Sequence, residues 1–395
     1  MRDLFISLIA SAIAFLAGLA TRSISERVRR TRRARNQRLI REQRHPRFTR
    51  QWLVDYYERQ GNGHELFSHR HGDALIRVPL LMKPTWHLED CDERRLIGQT
   101  LPQRRSGASI DARALSRRGA YLSLSAEGGE PWNELLACVF AVEEGEDGPT
   151  LQLGVAEYFQ FLSACGSLED ETYAAVRHPR RRTRLRDRVL PSAAAAATCR
   201  LGAHGFGMQV AVVFHVDGDL HVLIQRRSHS VSLYGGALAV VPVFGCQTLD
   251  QSADTEISLF HNFLREIYEE LYGGVEAEQH SGRVDPRWFY REPPLERILT
   301  AREQGLLDFS LLGFGFDSLN GEMDLMALAF FKQSRFTDIE LHEMKTNWEI
   351  NDIHVWPLFG QHLTDALLDG QFSPGSVYAL VRTRERLRPL WESIK

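Results

Sequence analysis

Between Met208 and Cys246 the chain reads as short apolar runs separated by turn residues. "MQVAVVFHV" and "LHVLIQRRS" flank the turn "DGD", and "ALAVVPVFGC" is a third, almost continuously apolar run of the kind a buried strand requires. The period then changes. Ile257, Phe260, Leu264, Ile267 and Leu271 recur at three- and four-residue intervals, which predicts an amphipathic helix from Thr255 to about Leu271 with one buried stripe. Asp254 or Thr255 is placed to cap its start, and Gly273 or Gly274 to supply a left-handed stop. "SLLGFGFDSL" and "MDLMALAFF" predict two more strands around the turn "NGE", and "WEINDIHVWPL" a strand running into a last helical region.

Upstream the pattern is looser. "QWLVDYYERQ" reads as a short helix, "DALIRVPLLMK" and "AYLSLSA" as strands, and "WNELLACVFAVEE" and "GVAEYFQFLSAC" as mixed or helical runs. The basic run "RHPRRRTRLRDR" leads into "LPSAAAAATCRLGAHGFG"; charge, proline, small residues and glycines in succession predict an interdomain connector with a boundary near Pro191.

The first twenty residues differ from everything else. Leu4 to Ala20, "LFISLIASAIAFLAGLA", is uncharged and just long enough for a helix to cross a hydrocarbon core of roughly 30 Å. From Thr21 to Arg50 there are twelve arginines against Glu26 and Glu42. Positive charge after an apolar segment resists translocation, so the expected arrangement is a single-pass membrane anchor with the bulk of the chain cytoplasmic. A cleaved signal peptide is the alternative, with Gly18 and Ala20 as the small residues before the cut. The arginines fit a segment lying against anionic headgroups; nucleic acid is the less favoured partner, because no stacking aromatic is interleaved before Phe48.

Composition adds three limits. With 395 residues and 43% hydrophobic content the chain is long enough for two ordinary domains with buried cores. The net charge of -3 conceals an acidic remainder behind the basic N-terminus. Cys91, Cys138, Cys165, Cys199 and Cys246 are odd in number and far apart, which indicates reduced thiols and neither a zinc spacing nor a disulfide framework. His64, His69, His71 and His87 follow no ligand spacing and read as exposed or hydrogen-bonded loop histidines.

The chemistry concentrates in "LREIYEELYGG", Leu264 to Gly274. At 100° per residue Glu266, Glu269 and Glu270 fall on one side of the predicted helix. Three crowded carboxylates ionise together only with a cation nearby, and oxygen-only donors suit Mg²⁺ or Mn²⁺. Arg265 is placed to orient one of them by a charge-assisted hydrogen bond. The plain alternative is a solvated acidic helix face. Arg226 and Arg227, at a strand end, read most simply as exposed arginines. Glu322 and Asp324, beside Asn320, are further candidate ligands or parts of a hairpin turn.

A helix ending in "REIYEELYGG", after a strand–turn–strand–strand unit and before further strands, resembles the Nudix hydrolase family. The likeness covers roughly Leu201 to the C-terminus, and Arg265, Glu266, Ile267, Glu269 and Glu270 fall on the family's signature. It implies an α/β/α sandwich in which Glu269 and Glu270 bind divalent metal and Glu266 adds a ligand or handles the proton of an attacking water. "IHVWPL" resembles the family's closing strand, and "QRRS" ends a strand that faces the substrate end of the sheet in that family, so the resemblance makes Arg226 or Arg227 a candidate to meet a substrate phosphate. Three positions depart from the signature: Gln251 and Ile257 stand where it has glycine and glutamate, and Tyr272 stands where a later glycine is expected, with Gly273 one place on.

The expected organisation is therefore a transmembrane anchor (1–22), a basic juxtamembrane segment (23–50), a mixed α/β region (51–176), a basic, alanine-rich linker (177–200) and a Nudix-like unit (201–395). The expected activity is metal-assisted hydrolysis of a nucleoside diphosphate-linked compound at the membrane. The alternative is a non-hydrolytic sensor of a nucleotide-derived signal, which the altered signature favours; a homodimer is implied by the resemblance alone.

Overall fold

Helix α1 (Pro46–Arg59) is the first element among the described residues of the computed structural model, and its inner side buries Leu53, Val54, Tyr56 and Tyr57. The structure describes most of residues 46–395 and leaves out 1–45, 98–134, 250–256, 275–284, 333–342 and a few single or paired positions. The expected anchor, nearly all of the arginine segment and the strand "AYLSLSA" lie outside the described residues. Among the described residues no helix is long and apolar enough to cross a membrane.

After α1, strands β1 (Leu66–His71) and β2 (Ala74–Leu81) form an antiparallel hairpin. A short helix, α2 (Glu93–Leu96), precedes a second hairpin of β3 (Leu135–Gly145) and β4 (Gly148–Glu157). The run "WNELLACVFAVEE", read as mixed or helical, is thus a strand over most of its length. Its apolar residues bury Ala137, Cys138 and Val139 in succession, and pairing with β4 overrides the weak helical pattern. Helix α3 (Tyr158–Arg177) follows, with Glu157 and Gln160 forming a capping box.

The expected linker is part of the fold. It forms α4 (Arg184–Val189) and α5 (Ala193–Ala197), the latter packed on β3 and capped by Ser192, whose Oγ accepts from the Ala195 N–H at 3.1 Å. Glu171 of α3 accepts from the backbone N–H groups of Leu185 and Arg186, each at 2.9 Å, so an acid of the preceding helix caps α4. Charge runs are commonly solvated, but Arg186 is 0% exposed. Its guanidinium donates to the carbonyls of Ser318 and Leu319 and to Thr172, with the Tyr57 hydroxyl at 3.4 Å.

The second half supplies β5 (His204–Val216), β6 (Asp219–Arg227), β7 (Leu238–Val240) and β8 (Val243–Gly245), then α6 (Leu259–Leu271) and α7 (Pro293–Glu303). It continues with β9 (Leu307–Asp317), β10 (Met323–Phe331), β11 (Ile350–Pro357), α8 (Gln361–Leu368) and α9 (Pro374–Ile394). "ALAVVPVFGC", read as one strand, is divided into β7 and β8 at Pro242, which has no N–H to give a ladder.

One mixed sheet runs β1-β2-β9-β10-β5-β3-β4. β10 pairs with β5 in parallel, Phe206 opposite Met323, and the other edge of β5 is divided among β3, β8 and β6. Phe260 and Phe263 of α6 pack on Phe309 of β9, and α9 lies against β5, β9 and β10, with the Tyr378 hydroxyl donating to the Leu312 carbonyl at 2.8 Å. Pro46–Lys395 is a single compact unit. The expected boundaries at 176/177 and 200/201 therefore do not divide the fold, because β2 joins β9 and β3 joins β5 across them.

Candidate functional site

Helix α6 is built as its periodicity dictates: Phe260, Phe263, Leu264, Ile267 and Leu271 are all buried. It starts later than predicted, with Ser258 Oγ accepting from the His261 N–H at 3.3 Å; Asp254 and Thr255 lie outside the described residues. Ile257 precedes the helix and is 5% exposed. The stop is as expected, since Gly273 takes φ +64°. The last carbonyls of the helix are met from outside, by Lys345 N–H on Leu271 O at 2.7 Å and Asn347 N–H on Glu270 O at 3.3 Å.

Arg265 is 6% exposed and fastens this helix to the end of β8. Its Nη2 stands 2.5 Å from Glu266 Oε1 and 3.5 Å from the Gly245 carbonyl, and its Nη1 donates to Gln247 Oε1. The predicted orienting bond thus reaches Glu266. Glu269 is half-buried, and Glu270 is 1% exposed. A solvated acidic face is not what the helix presents, because two of its three acids are largely shielded from water.

A second group of acids lies at the β9–β10 turn. Asp317 Oδ2 accepts from the Tyr234 hydroxyl at 2.6 Å and Oδ1 from the Leu319 N–H at 2.8 Å. Glu322 Oε2 accepts from Asn320 Nδ2 at 3.2 Å, and Asp324 Oδ2 from Gln209 Nε2 at 2.8 Å. Gln209 Oε1 in turn accepts from Ser376 at 2.6 Å and Ser373 at 3.1 Å, which ties the cluster to the start of α9. Gly207 leaves the acids their space: a Cβ there would stand 3.1 Å from Glu322 Oε1, 3.5 Å from Asp324 Oδ1 and 3.0 Å from the Phe244 carbonyl.

Burial pushes all three carboxyls up. Asp317 rises to about 6, with the Tyr234 and Leu319 hydrogen bonds and Arg186 acting against the shift. Glu322 rises to about 7, with Asp317 adding to burial and Asn320 and Arg227 opposing. Asp324 is raised well above its ordinary value by burial and then by Glu322 and Asp317. Close carboxylates in a dry setting share protons as a set.

Of the two strand-end arginines, Arg226 donates to the Gly236 carbonyl at 3.1 Å and braces the loop after β6. The charge of Arg227 acts on Glu322 and Asp324. The α6 pair and the turn acids flank one strand end: Arg265, Glu266 and Glu322 all act on the Cys246 thiol, which burial raises well above its ordinary value. All five cysteines are free. Of the four early histidines, His87 is hydrogen-bonded, its Nδ1 2.8 Å from the Tyr378 hydroxyl, while His69 lies in β1 rather than a loop, 3.4 Å from Glu385.

The donors of α6 are carboxylate oxygens, the right chemistry for Mg²⁺ or Mn²⁺, but their placement does not fit the ion. Glu266 is turned onto Arg265, and among the described residues no three acidic, histidine or cysteine side chains gather as a metal-holding group. Asp317, Arg186 and Tyr234 were not legible as site residues; the only signal was the turn pattern around Asn320.

No protein-family model matches the chain, and no curated protein does. Solved structures similar to it include Nudix proteins. The NUDIX domain of Shewanella oneidensis NrtR, complexed with ADP ribose, is 17% identical over 47% of this chain and 89% of its own, with a TM-score of 0.29. A C. elegans Ap4A hydrolase is 10% identical over 47% and 98%, with a TM-score of 0.26. A bifunctional NMN adenylyltransferase/ADP ribose pyrophosphatase from Francisella tularensis, complexed with AMP and a Mn ion, is 11% identical over 60% and 49%, with a TM-score of 0.30. At these scores the likenesses carry no argument about this chain, and its reading rests on its own residues.

Proposed function

We propose that the chain is a Nudix-like protein that binds a nucleotide-derived small molecule without hydrolysing it, held at a membrane by Leu4 to Ala20 and the arginine segment. The observation that carries this reading is the state of the signature residues. Arg265 and Glu266 form a nearly buried pair fixed to β8, while the position of the signature's upstream glutamate is Ile257, packed in the core. The helix keeps the signature's architecture, Glu266 is engaged by Arg265, and among the described residues no gathered set of metal donors is present, which supports recognition more than water activation.

Hydrolysis of a diphosphate bridge is the second reading, favoured by the retention of Glu266, Glu269 and Glu270 at i, i+3 and i+4 on one helix. One experiment separates them. The purified chain is tested with Mg²⁺ or Mn²⁺ against nucleotide sugars, dinucleoside polyphosphates, dinucleotide cofactors and cyclic oligonucleotides, recording binding and turnover, with Glu269→Gln in parallel. Binding without turnover is the expected result. Metal-dependent release of a nucleoside monophosphate, lost in Glu269→Gln, would establish the hydrolase instead.

A further inference from the structure

We propose that Glu93 is a positioning residue for the Arg265–Glu266 pair: reaching in from the region ahead of β3, it fixes the start of α6 and so sets where that pair stands. The inference deepens the reading of α6 as the ligand-binding element and rests on that reading for its functional meaning.

The first turn of a helix leaves N–H groups without partners inside the helix, and its positive end favours an acid. α6 has no acid in its own first turn. One comes from 166 residues away: Glu93 Oε1 accepts from the N–H of Leu259, the first helical residue, at 2.5 Å. A carboxylate on a backbone N–H is among the stronger hydrogen bonds. The next two residues of the turn are also held from outside. The Arg302 guanidinium of α7 lies 3.5 Å from the centre of the Phe260 ring, and His261 Nδ1 stands 2.9 Å from the Tyr290 hydroxyl. The Glu93 charge acts on both Arg302 and Tyr290, so one carboxylate is common to all three contacts.

From that turn a continuous set of bonds leads to the pair. One turn on, Asn262 clasps the Gln247 backbone, its Oδ1 accepting from the Gln247 N–H at 2.8 Å and its Nδ2 donating to the Gln247 carbonyl at 2.9 Å. The Gln247 side chain accepts from Arg265, and Arg265 holds Glu266. A slip of the helix start therefore moves every member of the set. Glu93 is itself anchored, because α2 packs on β4, Leu96 is 0% exposed and Ile97 bridges Leu151. Its charge also reaches the Cys246 thiol, on which burial, Arg265 and Glu266 act more strongly. The β3–β4 hairpin and the short helix before it are in this way working parts of the α6 site.

The test uses the purified full chain without ligand. Backbone hydrogen exchange is read by mass spectrometry in Glu93→Ala, in Glu93→Asp, which draws the carboxylate back by one methylene, and in Glu93→Gln, which keeps an acceptor oxygen. Urea unfolding of Glu93→Ala, Arg265→Lys and the double variant closes a mutant cycle. Amides in the first half of α6 should exchange about tenfold faster or more in the alanine and aspartate variants, with β9 and β10 unchanged and the glutamine variant close to the parent. The cycle should depart from additivity by about fivefold or more in the unfolding constant, whereas residues that are far apart and share no partner simply add. Unchanged exchange in α6, acceleration spread evenly along the chain, or an additive cycle would each overturn the proposal. Should Glu93→Ala fail to fold, Glu93→Asp carries both measurements. If these results hold while the nucleotide panel shows no binding, the role of Glu93 stands and the ligand reading of α6 falls.

Discussion

Arg186 Nη2 donates to the Leu319 carbonyl at 3.0 Å, joining the short helix α4 to the turn that carries the buried acids. The bond belongs to a set in which one guanidinium satisfies two turn carbonyls and the Thr172 hydroxyl. Replacing Arg186 by leucine leaves those oxygens buried and unmet, at about 1–3 kcal/mol for each group. We expect Arg186→Leu to lose about 3 kcal/mol or more in urea unfolding; a loss below 1 kcal/mol would show that the turn holds its shape without it.

The acid cluster gives the protein a pH signature of definite sign. Asp317 and Glu322, raised to about 6 and 7, bind protons more readily folded than unfolded. Their contribution is therefore greatest at low pH and is lost as the pH rises through those values. Glu322→Gln should be more stable than the parent at pH 8, by roughly 2–4 °C in midpoint, and the advantage should shrink towards pH 5. Midpoints measured across that range decide it, and a constant difference would mean that Glu322 does not hold the proton.

Arg265 ties three groups together, and a lysine cannot reproduce its fork. Arg265→Lys should keep an attraction to Glu266, lose the reach to Gln247 and Gly245, and cost about 1–2 kcal/mol by chemical denaturation. Ligand affinity should fall with it. Unchanged affinity in a folded Arg265→Lys protein would place the ligand away from the α6–β8 junction.

Gly273 offers a cleaner measurement. At φ +64° a side chain is strained, yet a Cβ would lie 3.5 Å from Lys345 Cβ, an ordinary contact. Gly273→Ala should cost about 1 kcal/mol by denaturant melt, from backbone conformation alone. A cost of several kcal/mol would reveal crowding.

Much of the second half was legible, because its strands are bounded by Gly, Pro and Asn turns and α6 carries a clean apolar stripe. That Arg265 would orient one of the three acids was legible from the motif; that the acid is Glu266 was not, because adjacent residues do not share a helix face. The rest depends on residues far apart in sequence. Nothing local announces that Arg186, in a run of arginines, is the one drawn inside; the carbonyls that receive it lie more than a hundred residues on. The mixed or helical reading of "WNELLACVFAVEE" left its strand unassigned likewise, since its partner β4 decides its state. The linker expectation fails because alanine and arginine tracts resemble solvated connectors until a surface exists for them to cover.

The pairing of β2 with β9 bears on how the chain comes together in time. Leu80 and Leu81 lie opposite Asp317 and Phe316, and the Ser318 N–H donates to the Pro79 carbonyl at 2.9 Å. During synthesis the first hairpin is made long before β9 leaves the ribosome, so its outer edge must wait uncovered. Contacts this distant slow folding, and an unpaired edge invites wrong partners meanwhile. The turn that carries the acids is thus among the last features to acquire its shape, and its assembly reports that both halves of the chain are present and correctly joined.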